Sequence, residues 1–150
     1  MKPNALLGAA LVLLLGFGGT ASSQVRTAEF QDQMVINEFG KRTGIIVSHA
    51  AAKRLSARST QGASYVSLSR MIERMPVLHI TVRPEPPLDY LIKVNDDPPI
   101  SPPRRSPNNI AVPPGRTVVY VTREHLPACI WGPRDVEQDE IINCMLRSKK

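Results

Sequence analysis

The sequence predicts an α+β fold. It reads as a small βαβ-type sandwich of two helices on a short mixed sheet, followed by a Pro-rich segment and a disulfide-tied C-terminal strand-helix. Three observations predict it. Apolar residues recur at helical spacing in two stretches and alternate with period two in others. The chain has 150 residues, 42% of them hydrophobic, which supports one modest core and excludes wholesale disorder. Its two cysteines are too few for a disulfide-dense miniprotein and show no zinc spacing.

Residues 1–23 read as an export signal. Lys2 supplies a short positive region, Ala5 to Phe17 is almost continuously apolar, and Gly18 to Ser23 is small and polar. Ala21-Ser22-Ser23 places small residues where a signal peptidase reads, so cleavage is expected before Gln24. The alternative is an uncleaved anchor. Gly8, Gly16, Gly18 and Gly19 interrupt the stretch, and its apolar core falls short of the ~20 residues of a span. The expected location is therefore periplasmic or secreted, with no stable membrane span after cleavage.

The first domain is expected over residues 24–95. Thr27 caps a helix through Arg42, with Phe30 and Met34, then Val35 and Phe39, at i, i+4. Gly44 after Lys41 and Arg42 is a helix stop, and Ile45-Ile46-Val47 is a short buried strand. Ala50 to Leu55 forms one helical turn, and the polar run Arg58 to Ala63 an edge strand. Ser67 caps the clearest helix, Ser67 to Met75, whose stripe is Leu68, Met71, Ile72 and Met75; Pro76 ends it. Two alternating runs follow: Leu78, Ile80 and Val82, then Leu88, Tyr90, Ile92 and Val94. The prolines at 84, 86 and 87 make the connection between them a turn.

Residues 96–115, with prolines at 98, 99, 102, 103, 107, 113 and 114 around Arg104-Arg105, read as an extended, solvated linker or loop. Residues 116–150 are expected to pack back on the same domain. Thr117 to Thr122 is a β-branched strand, and Pro133 and Asp135 open a final helix with Val136, Ile141, Ile142, Met145 and Leu146 as its stripe. Cys129 and Cys144 are expected to bridge in an oxidising compartment, tying that helix to the segment after the strand. The rival reading, a catalytic thiol, needs a base, and none stands beside either cysteine in the sequence.

Three stretches resemble the short N-terminal domain shared by secretins and TonB-dependent receptors. Val35 to Gly44 followed by Ile45-Ile46-Val47 is similar to its first helix, stop and strand. Ser67 to Met75 is similar to its second helix, and Val77 to Arg83 with Leu88 to Val94 to its closing hairpin. Pro76 departs from the Gly-rich turn that usually ends that second helix. The resemblance implies a periplasmic docking module with no catalytic residues to carry over.

Candidate chemistry is sparse. His49, His79 and His125 form no HxH or HExxH spacing, and the sequence points to no metal or other cofactor. Ser48-His49 and Glu124-His125 are the first places to look for acid-base work, but neighbours on an extended chain point opposite ways. No phosphate loop or nucleophile elbow is present. The charge distribution says more. Lys41, Arg42, Lys53, Arg54, Arg58, Arg70 and Arg74 stand against one acid, Glu73, in that stretch. These seven are the candidate partner-binding residues, facing an envelope protein or an anionic surface. Nucleic acid is not expected of an exported chain with 5% aromatics. The sequence thus favours an adaptor docking onto a secretion or uptake assembly. The alternatives are a secreted inhibitor or ligand-binding protein with a basic face, and a small envelope hydrolase built on Glu124 and His125.

Overall fold

The computed structural model describes residues 31–84, 89–101, 107–123 and 126–146. The expected export signal, Thr27, Phe30, Leu88, Arg104-Arg105, Glu124 and His125 lie outside these residues. Helix α1 (residues 31–43) leads into β1 (Ile45–Val47), α2 (His49–Thr60) and α3 (Tyr65–Glu73). Six strands follow: β2 (Val77–Arg83), β3 (Leu91–Val94), β4 (Asn108–Ala111), β5 (Gly115–Arg123), β6 (Leu126–Val136) and β7 (Glu140–Met145). One sheet has the order β1-β4-β2-β7, with β1 parallel to β4, β4 antiparallel to β2, and β2 parallel to β7. The other, β3-β5-β6, is antiparallel throughout. The fold is α+β in three layers: helices, mixed sheet, antiparallel sheet.

Period-two patterning creates the core between the sheets. Leu78, Ile80 and Val82 of β2 and Ile142 and Cys144 of β7 meet Ile92, Val94, Val119 and Val121 from the opposite sheet. Tyr90 is fully buried among them, and its hydroxyl accepts from Asn108 Nδ2 at 2.8 Å. A second core joins the helices to the mixed sheet through Val35, Phe39, Ala51, Leu55, Leu68, Ile72 and Ala111.

Several expectations change. The second run of alternating residues does form a strand, but β2 and β3 belong to different sheets and make no hairpin. Their apolar stripes face each other across the sandwich, which buries both. The polar run Arg58 to Ala63 is no edge strand. It is the last turn of α2 and the turn beyond it, because α2 extends well past Leu55. Ser48 caps α2 by accepting from Ala51 N–H at 3.2 Å, and the buried stripe Ala51, Leu55, Ser59 is too narrow and polar to announce a helix. Helix α3 starts earlier than expected, capped by Ser64, whose hydroxyl accepts from Ser67 N–H. Tyr65 and Val66 in its first turn are exposed and add nothing to the stripe.

The Pro-rich stretch is more than a linker. Asn108 to Val112 is proline-free, and β4 takes the place between β1 and β2. The C-terminal helix is overturned. Residues 126–136 and 140–145 are strands, with Ile142, Cys144 and Leu146 inward and Ile141 and Met145 outward at 74% and 70% exposure. Val136, Ile141, Ile142, Met145 and Leu146 fit a helical stripe, but of these only Val136, Ile142 and Leu146 are buried. The β-branched pair Ile141-Ile142 and an inward-facing Cys144 favour the strand.

The disulfide is present. Cys129 on β6 and Cys144 on β7 have Cα atoms 5.8 Å apart, so the bridge joins the two sheets rather than a strand to a helix. Among the described residues no helix is long and apolar enough to cross a membrane.

Candidate functional site: an arginine cleft between the second and third helices

The helical layer positions the charged residues. In α2 the buried positions 51, 55 and 59 set the face turned to the core, which leaves Lys53, Arg54 and Arg58 exposed. In α3, Leu68 and Ile72 point inward, so Ser67, Met71, Arg70 and Arg74 line one flank. That flank faces the end of α2. Between them lies an open cleft of about 420 Å³, lined by Arg58, Ala63, Ser67, Arg70, Met71 and Arg74.

Three of the seven predicted cations therefore converge. Arg58 sits in the last turn of α2, Arg70 in the last turn of α3, and Arg74 at the C-cap of α3. Cations suit these positions because the helix carbonyl ends carry partial negative charge. Among the described residues no carboxylate lies within ion-pairing distance of any of the three. Three guanidiniums lining one cleft without counter-charge repel one another, and an anion seated between them relieves that repulsion. The half-buried Met71 and Ala63 supply an apolar floor.

The other four cations stand apart. Arg42 is on α1, where it pairs with Glu73 at 3.2 Å and lies 5.6 Å from the centre of the Phe39 ring. Lys41 approaches Glu38 at 3.9 Å and is 78% exposed. Lys53 and Arg54 are exposed on α2 and do not line the cleft. Helix α1 touches the cleft wall at its start, where Gln31 Nε2 donates to Ala63 O at 3.2 Å, and it stops at residue 43. Gly44 adopts φ +71°, which glycine accommodates without penalty, and donates its N–H to Gly40 O at 2.9 Å.

His49 and His79 lie among the described residues, and neither lines the cleft. His49 is exposed at the first position of α2, and its neighbour Ser48 is buried as the cap. His79 Nδ1 lies 2.7 Å from Asn109 Oδ1 on β4, and its Nε2 lies 3.7 Å from Asp139 Oδ2. Sequence reasoning missed this contact. The signal available was weak: a polar residue at the centre of an apolar strand needs a partner. Among the described residues no three His, Cys, Asp or Glu side chains are grouped to hold a metal ion. No family model, curated protein or solved structure matches the chain.

Proposed function

We propose that this chain is an exported binding module that docks onto an envelope assembly, and that the arginine cleft is its working surface. The convergence of Arg58, Arg70 and Arg74 on one uncompensated cleft carries this reading. The partner it suits is a protein with an acidic segment, since guanidiniums pair with carboxylates in a bidentate fork. The tripartite N-terminus and the bridge between Cys129 and Cys144 support a life outside the reducing cytoplasm. The resemblance to the short domain of secretins and TonB-dependent receptors supports docking rather than chemistry, and is left with α1, β1 and α3, since the closing hairpin it implied is not formed.

The test is capture from envelope extract with variants of equal charge change. Arg58→Glu combined with Arg70→Glu should abolish capture. Lys41→Glu combined with Lys53→Glu should retain it, as should His125→Ala. Capture by the wild type should also weaken as salt rises, because exposed charges are screened beyond ~8 Å at physiological ionic strength. Equal loss in both double variants would reduce the effect to net charge and defeat the reading. Loss with His125→Ala alone would turn attention to hydrolysis.

A further inference from the structure

A second groove begins where the arginine cleft ends. Arg74 lines both. Beyond it the walls are Glu73, Met75 and Pro76 with the turn Glu137, Gln138 and Asp139 ahead of β7, around a space of about 360 Å³. Charge therefore changes sign along α3. Arg58 and Arg70 stand on one side of Arg74, and the acids of the turn stand on the other.

The acids are not equivalent. Asp139 is engaged by the fold, accepting the Val77 N–H at 2.9 Å through Oδ1 and facing His79 through Oδ2. Glu73 is held by Arg42. Glu137 is exposed, and among the described residues it has no ion-pair partner. The joined groove thus offers three unpaired guanidiniums at one end and one unpaired carboxylate at the other. Between them Met71, Met75 and Pro76 present an apolar floor. From Ser67 to Glu73 the helix rises ~9 Å at ~1.5 Å per residue. An extended peptide covers that distance with about three residues at ~3.3 Å each.

We infer that the joined groove seats an extended segment of the partner whose charges are segregated: acidic residues against Arg58, Arg70 and Arg74, and a lysine or arginine against Glu137. Uncharged apolar residues lie between, over Met71 and Met75. This rests on the docking reading above and adds to it the order of charges along the partner. A uniformly acidic segment would run into the field of Glu137 and Asp139, so the groove rejects it by repulsion as well as selecting by attraction.

The experiment uses the full oxidised protein and three fluorescent peptides of equal length. One carries two aspartates, uncharged apolar residues and two lysines in that order. The second has the same composition with the charges alternating. The third replaces the lysines by aspartates. Anisotropy at low salt should show the segregated peptide binding about fivefold tighter than either control, the scale expected of a few solvent-exposed ion pairs. Glu137→Lys should weaken the segregated peptide and strengthen the all-acid one. Arg70→Glu should weaken both.

If the all-acid peptide binds as tightly as the segregated one, the charge order is wrong and the docking reading survives. If no peptide binds while capture from extract still depends on Arg58 and Arg70, the partner presents no linear segment and this inference falls alone. If peptide binding and arginine-dependent capture both fail, the two readings fall together.

Discussion

Reducing the bridge between Cys129 and Cys144 should cost about 3 kcal/mol of folding stability. The two cysteines are 15 residues apart. In the chain-entropy model, closing a loop of that size removes ~3 kcal/mol of conformational freedom from the unfolded state. Small domains hold only ~5–15 kcal/mol in total, so the loss is a large share of the whole and changes the folding constant about a hundredfold. Urea titration of the same chain with and without reductant measures it without altering the core. With a slope of ~1–3 kcal/mol/M, the midpoint should fall by ~1–3 M. The slope itself should rise, because the reduced chain unfolds to a more open state. Coincident midpoints would refute the reasoning and assign the stability of the β6–β7 junction to packing alone. The variant with Cys129→Ala and Cys144→Ala should lose more than reduction does, since Cys144 is 2% exposed and its sulfur fills core space.

Two further outcomes test the layers separately. Ile72→Ala, at a position 1% exposed, should cost ~2–5 kcal/mol in denaturant melts. Met71→Ala should cost less because its side chain is half-buried at the cleft, and Arg70→Ala should cost little; equal losses for all three would mean that α3 presents a different face to the core. Tyr90→Phe leaves the Asn108 amide without its buried acceptor and should cost ~1–3 kcal/mol, with the loss rescued in part by Asn108→Ala in the same chain. A silent Tyr90→Phe would show that the amide finds another partner.

The helical layer was legible where side-chain type and spacing agreed. Leu68 and Ile72 define α3, Val35 and Phe39 define α1, and Gly44 ends α1 as its position after two cations suggests. Helix α2 was hidden because Ser59 takes the place of an apolar residue in its buried stripe, and its last turn reads as polar surface. The C-terminal strands were hidden because Ile141 and Met145, which complete a helical stripe with Ile142 and Leu146, are exposed apolar residues on the outer face of β7. Strand pairing is a different matter, since it depends on residues far apart in the chain. Nothing near Asn108 in the sequence shows that it lies beside β2 and bonds Tyr90.

The same holds for the cleft. Seven cations against one acid announced a basic region, but the helix rotations set by Leu55, Leu68 and Ile72 decide which of them meet. Arg42 was indistinguishable from Arg74 in sequence, and Glu73 disarms one while leaving the other free of a counter-charge.

The place of β4 also constrains the order in which the molecule can assemble. In the mixed sheet, Ile46 lies beside Ile110, and Leu78 lies beside Glu140. The Val77 N–H finds its acceptor 62 residues onward, in Asp139. Neither β1 nor β2 has a neighbour in that sheet until the chain from Asn108 onward is available, so the first half has no stable sheet of its own. Such long-range pairing makes folding slow, and couples it to the synthesis of β4 and β7. A chain stopped after Asn95 should be a collapsed, protease-sensitive polypeptide with fluctuating helices. Under the export proposed above, that delay would preserve the unfolded state that passage through a threading channel requires.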